Sequence, residues 1–183
     1  MTAQDRDRWD RRYADRDPAP DHHVGLPAPL DAYTDLFPAS GIALDVACGG
    51  GVTAVWLAQH GLTTTGIDIS PIAIEQAREL ARRNAVEVTF DTVDLDDGLP
   101  PGPAADVVVC LRFRDARLDR AIVERLAPGG ILATSALSEV GGTVGNHRAK
   151  PGELLTAFAD LEVIASGEGD GTAWLLARKP SAA

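Results

Sequence analysis

The chain has 183 residues, 45% of them hydrophobic, which suits an ordinary globular fold with a continuous core rather than a disordered segment. Lysine and arginine number 17 against 27 aspartates and glutamates, and the resulting net charge of −10 repels nucleic-acid backbones and anionic lipid heads. No apolar run reaches membrane-span length, the N-terminus lacks the apolar core of a signal peptide, and two cysteines do not make a disulfide scaffold. The expectation is therefore a cytoplasmic monomer or homodimer without nucleic-acid or membrane partners.

Residues 1–17 alternate acids and bases around Trp9 and Tyr13, four apart and so on one face of a short amphipathic helix. A proline-rich loop, "PAPDHHVGLPAP", carries His22 and His23, and "PLDAYTDLF" predicts a second short helix ended by Pro38. Residues 1–40 together read as a helical cover over a core spanning 41–183. "IALDVA" has strand length, and the residues after its glycines follow helical spacing up to a stop at Gly61. "TTTGID" predicts a strand, and Ser70-Pro71 reads as an N-cap followed by proline in the first turn. Ala73, Ala77, Leu80 and Ala81 mark the buried stripe of that helix.

"VEVTFDTV" predicts the next strand, and the almost unbroken apolar run "DVVVCLRF" one covered on both faces. "RDARLDRAIVERL" reads as a helix stopped by Pro128-Gly129-Gly130, "GILATSAL" as a strand and "PGELLTAFAD" as a helix. The last strands form a hairpin turning at Gly169-Asp170-Gly171. Strand–helix alternation closed by a hairpin predicts an α/β, Rossmann-like, doubly wound and mostly parallel seven-stranded sheet with one antiparallel strand.

In such sheets ligands bind beyond the carboxyl ends of the strands, where Gly49, Gly50 and Gly51 follow the first strand. Without Cβ atoms these residues permit unusual torsions and close approach to the main chain. Asp68 ends the second strand, about 20 residues on, where an acid accepts from ribose hydroxyls. Gly49-Gly50-Gly51-Val52-Thr53-Ala54 also fits a dinucleotide fingerprint, but Asp45 inside the first strand favours a ligand bearing an ammonium or sulfonium over a pyrophosphate.

The stretch from Asp45 to Gly51 resembles motif I of class I S-adenosylmethionine-dependent methyltransferases, with Ala47 in place of its usual first glycine. "GIDIS" resembles the family's second acidic motif, "DTVDLDDGLP" its adenine-contacting segment and "LAPGGIL" a turn and strand of its fold. "WDRRYA" and "NHRAKPGELL" resemble features of the small bacterial tellurite-resistance and thiopurine-type branch. The resemblance implies S-adenosyl-L-methionine as cofactor. Asp45 would orient its amino group, the main chain of Ala47, Cys48, Gly49 and Gly51 would line its methionine portion, and Asp68 would take the ribose. Ile69 would pack on the adenine, Asp94 and the Leu95 amide would meet its polar edge, and Cys110 would be a further cofactor-binding residue. No metal is implied.

A small-molecule methyl acceptor, a thiol or oxyanion for example, would meet groups from the strand tips and the N-terminal cover. The candidates are Arg112, His147, His22, His23 and Tyr13, with Arg112 equally able to pair with Asp115 or Glu139. No N/D-P-P-Y motif follows the fourth strand, which argues against amino-methylation of nucleic-acid bases. Two alternatives stand beside this reading: an NAD(P)-binding Rossmann oxidoreductase and a non-catalytic S-adenosylmethionine-binding module.

Overall fold

The computed structural model describes residues 3–15, 24–145 and 147–181. Seven strands form one mixed sheet in the order β3-β2-β1-β4-β5-β7-β6, and contact density divides the chain into two units, Met1–Pro101 and Gly102–Ala183. The alternation of strands and helices predicted from the sequence is present. Among the described residues no helix is long and apolar enough to cross a membrane.

In the first unit, β1 (Gly41–Val46), β2 (Leu62–Asp68) and β3 (Val88–Thr92) run parallel, joined by α2 (Val52–Gln59) and α3 (Pro71–Arg83). The Ser70 hydroxyl caps α3 by accepting the Ala73 N–H at 3.1 Å, and Pro71 occupies its first turn. The predicted stripe is buried, and its Ala77, Leu80 and Ala81 form a core cluster with Ile74, Ala54, Val55 and Phe90. Helix α1 (Ala3–Ala14) stacks Trp9 and Tyr13 with ring centroids 6.2 Å apart, as their spacing predicted. The second short helix is a 3-10 helix, Leu30–Leu36, kinked at Tyr33.

In the second unit, β4 (Ala105–Cys110) pairs in parallel with β5 (Leu126–Leu137), while β7 (Thr172–Arg178) runs antiparallel to both β5 and β6 (Glu162–Gly169). Several boundaries depart from expectation. β4 stops at Cys110 instead of reaching Phe113, because Arg112 takes φ +58° and its N–H turns to the Ser135 hydroxyl at 3.0 Å. The helix expected over 114–126 splits into a 3-10 turn, Ala116–Leu118, capped by Asp115, and α4 (Asp119–Arg125). β5 starts at Leu126, before the glycines read as a helix stop. α5 is reduced to Glu153–Ala157.

Arg114 holds this unit's connections together. Its side chain is only 8% exposed, and it donates to both oxygens of Asp119 (2.8 Å from Nη2 to Oδ2) and to Glu153 Oε1 at 2.7 Å. One guanidinium thus ties the start of α4 to the start of α5. Lys179 Nζ donates to Val123 O at 2.9 Å and Leu126 O at 2.7 Å, satisfying carbonyls at the end of α4.

Two outcomes follow from this packing. Arg114→Ala strands two half-buried carboxylates and should cost about 2–3 kcal/mol in urea unfolding, below the range for fully buried pairs because the partners are partly solvated. A loss under ~0.5 kcal/mol would show the network to be net neutral. Gly51→Ala should cost about 2 kcal/mol or more through overpacking and backbone strain. The reasons are that Gly51 has φ +79° and an added Cβ would lie 2.6 Å from the Ala77 Cβ. Gly50→Ala, whose Cβ would meet nothing closer than 3.9 Å, should leave the midpoint nearly unchanged.

Candidate cofactor site

The carboxyl ends of β1 and β2 bring two acids and a glycine turn together. After Val46 the chain turns at Ala47, φ +56°, and the Cys48 N–H donates to Ile67 O at 2.9 Å, drawing the loop over β2. Gly49 and Gly51 both take positive φ, +53° and +79°. The room they leave is used by the protein itself. An added Cβ on Gly51 would strike α3 and Phe90, and one on Gly49 would strike the Tyr13 hydroxyl, with Tyr13 Cζ at 3.3 Å. Gly50 faces more open space.

Asp68 pins this turn. Its Oδ2 accepts the Gly49 N–H at 2.9 Å and its Oδ1 accepts the Ser70 N–H at 2.9 Å. Each carboxylate oxygen retains a lone pair for a further donor. Burial raises the Asp68 carboxyl above its usual range, against the lowering effect of the backbone N–H groups.

Asp45 is 2% exposed at the end of β1, and its Oδ2 has no hydrogen-bond partner. Burial, followed by the neighbouring Asp68 charge, pushes its carboxyl up to about 8, with the Ala54 amide at the start of α2 pulling the other way. An orphaned buried oxygen of this kind costs free energy unless a donor or a cation meets it. Cys48, half-buried beside both acids, has its thiol pushed well above the usual range, by burial first and then by Asp45 and Asp68. It is held as a neutral thiol, unsuited to nucleophilic work.

Helix α1 lies along this loop. The Ser70 hydroxyl donates to Asp10 while accepting from α3, and Gln76 Nε2 donates to the Tyr13 carbonyl at 2.9 Å. Of the predicted residues, Asp45, Ala47, Cys48, Gly49, Gly51, Asp68 and Tyr13 therefore meet in one place. Ile69 and Leu95 are each 2% exposed. Asp94 caps a 3-10 turn over Leu95–Asp97, its Oδ1 accepting the Asp96 N–H at 3.0 Å.

Arg112, His147 and Cys110 belong to the second unit. Cys110 is buried in β4, and His147 is exposed with φ +65°. His22 and His23 lie outside the described residues. Sequence reasoning missed Asp10 and Gln76. Asp10 is three residues from Tyr13, so helical spacing already placed the two on one face. The contact of Gln76 depends on packing between helices that no local pattern records.

The donor set fits a cationic nucleoside. The unpartnered oxygen of Asp45 suits an ammonium, Asp68 keeps acceptor capacity, and the loop bears no side chain toward it at 49–51. A pyrophosphate would instead meet two buried acids.

Comparison with known proteins accords with that chemistry. Residues 43–130 match the family model described as "Methyltransferase domain". The ubiquinone biosynthesis O-methyltransferase of Xylella fastidiosa is 32% identical over 123 residues, which cover 63% of this chain and 50% of that protein. The chain spans about half the length of the curated relatives it matches. Among solved structures, the N-methyltransferase NodS of Bradyrhizobium japonicum, in complex with S-adenosyl-L-homocysteine, superposes with a TM-score of 0.72 at 20% identity, covering 96% of this chain and 98% of that one. TehB of Haemophilus influenzae gives 0.71 at 20% identity, covering 82% of this chain and 60% of that one. Residues 43–130 are thus a match to the methyltransferase domain, and the chain around them has the Rossmann-like, seven-stranded methyltransferase fold.

Proposed function

We propose that the chain is an S-adenosyl-L-methionine-dependent methyltransferase acting on a small molecule. The observation that carries the reading is the buried, unpartnered Oδ2 of Asp45 beside a glycine turn clamped by Asp68. When bound, the cofactor supplies a methyl group on a sulfonium, already a good leaving group. The protein's own task is to position. In this reading Asp45 accepts from the ammonium, the main chain of 47–51 lines the amino-acid portion, and Asp68 adds the ribose hydroxyls to its two amide donors. Ile69, Asp94 and Leu95 flank the adenine. Tyr13, on the inner face of α1, covers the loop and keeps water from it.

That the Xylella fastidiosa relative is an O-methyltransferase and NodS an N-methyltransferase supports methyl transfer. The likeness to TehB supports the fold, and "WDRRYA" and "NHRAKPGELL" suggest a place near the tellurite-resistance and thiopurine-type branch. A soft anionic acceptor needs no general base, whereas a neutral hydroxyl or protonated amine needs one.

The decisive measurement is calorimetry and thermal shift with S-adenosylhomocysteine, S-adenosylmethionine, NAD and NADP. The first two should bind and raise the melting temperature by mass action, and the nicotinamide pair should not. Binding of NAD alone would end the reading.

Asp45 adds a pH signature. Its folded carboxyl stands at about 8 against an ordinary 3.8, so the native state holds a proton that the unfolded chain releases. The contribution of Asp45 to the stability of the ligand-free protein is therefore fully present below pH ~4 and is lost as pH rises toward 8. Asp45→Asn should flatten this dependence and be the more stable form above pH 8. The ammonium selects the carboxylate, so affinity for S-adenosylhomocysteine should rise from pH 6 to 8 with release of up to about one proton near pH 7. In Asp45→Asn the proton release should vanish and affinity fall by about 1–3 kcal/mol. A pH-independent affinity in the wild type would unseat Asp45 from this role.

A further inference from the structure

Helix α1 meets the rest of its unit through few side chains. Across residues 6–15 only Trp9, Asp10 and Tyr13 are withdrawn from solvent, and none of the ten is fully buried. Asp10 and Tyr13 lie three residues apart and so share a face. They bear on the two residues whose amides clamp Asp68. Asp10 accepts the Ser70 hydroxyl proton, and the Ser70 N–H donates to Asp68 Oδ1 at 2.9 Å. The Tyr13 side chain lies against Gly49, whose N–H donates to Asp68 Oδ2 at 2.9 Å. Gln76 of α3 holds α1 in this register by donating to the Tyr13 carbonyl at 2.9 Å.

Ser70 is the junction of this arrangement. It is fully buried, caps α3 by accepting the Ala73 N–H, orients Asp68 through its own N–H and gives its hydroxyl proton to Asp10. A serine cap needs only a lone pair, and the remaining proton fixes the hydroxyl only where an acceptor holds it. Capping thus accounts for Ser70 but not for an acceptor 60 positions away in the chain. The charge of Asp10 does not assist Asp68 either. Burial raises the Asp68 carboxyl most, and Asp10 adds to that rise. A negative charge near the start of α3 suits the helix dipole, but that effect needs no hydrogen bond. What Asp10 supplies to the clamp is an acceptor for one proton.

We infer that Asp10 is a positioning residue for the cofactor's sugar: by holding the Ser70 hydroxyl it fixes the orientation in which Asp68 meets the ribose hydroxyls. The inference rests on the proposed cofactor reading and deepens it, with a residue that acts through Ser70. Without the acceptor at 10, Ser70 is free to turn, its N–H leaves the line to Oδ1, and the carboxylate keeps only the Gly49 amide. Hydrogen bonds to a carboxylate weaken as their alignment is lost, so the cost falls on the ligand groups that Asp68 receives. A binding group is held to its working geometry by the side chains behind it, and here one of them comes from a different helix.

The test is calorimetry on the full chain with S-adenosylhomocysteine and its 2′,3′-dideoxy analogue. Asp10→Ala should weaken S-adenosylhomocysteine about fivefold and the analogue, which offers Asp68 no hydroxyl, by less than about twofold. Asp10→Asn keeps the acceptor and drops the charge, and should bind both within about twofold of wild type. Ser70→Ala should weaken S-adenosylhomocysteine at least as much as Asp10→Ala, and the double variant no further than Ser70→Ala. Without any ligand, hydrogen exchange at the Gly49 N–H should quicken about fivefold in Asp10→Ala and stay at the wild-type rate in Asp10→Asn. Equal losses for the two ligands, additive losses in the double variant, wild-type affinity in Asp10→Ala, or no rescue by asparagine overturns the inference while leaving the cofactor reading intact. Should S-adenosylhomocysteine fail to bind the wild type, the cofactor reading falls, and the Gly49 exchange rates still decide whether Asp10 positions Asp68.

Discussion

A carboxyl group sealed at the end of an apolar strand is the constraint around which the first unit is arranged. Asp45 is buried, lacks a partner for one oxygen and stands beside a second acid. Such a group is a standing cost to the fold, and nothing in the packing of β1 requires an acid there, since its neighbours Leu44 and Val46 are ordinary core residues. In the proposed reading, stability is traded for a site that is complete only when a positive charge arrives. The second acid is used differently. Asp68 is satisfied by two amides of the loop it holds, so it shapes the turn before any sugar is considered. One acid is structural and available, the other is unsatisfied and waiting.

Much of this was legible in the sequence because the signals were local. Apolar runs of strand length, glycine after β1, the Ser70-Pro71 start of α3 and the terminal hairpin each rest on a few adjacent residues, and each is present, although β4 ends and β5 begins earlier than expected. The acids at 45 and 68 were legible because an acid in an apolar run breaks the pattern around it. The errors have a common physical origin. "DVVVCLRF" reads as one strand because hydropathy cannot see that a hydroxyl on β5 intercepts the Arg112 N–H and ends the strand at Cys110. The helix after it begins late because Asp115 caps a 3-10 turn first. Long-range side-chain contacts, not propensity, decide these boundaries.

The glycines needed reinterpretation for the same reason. Three in a row suggested space for a ligand, yet Gly51 is required by Ala77 and Phe90, Gly49 by Tyr13, and Gly50 by nothing close at hand. The loop is thin because helices crowd it. A tight fit to the protein's own helices and a main chain bare enough to meet a ligand are two results of one geometry.

That geometry couples positions far apart in the chain. A methyl group at position 49 collides with the phenolic oxygen of Tyr13, whereas loss of that oxygen would leave the nearest ring atom at 3.3 Å. Alanine at 49 therefore requires the Tyr13 side chain to swing aside or lose its hydroxyl, on top of the strain of a positive φ. The tolerance of position 49 to a side chain thus depends on which residue stands at 13.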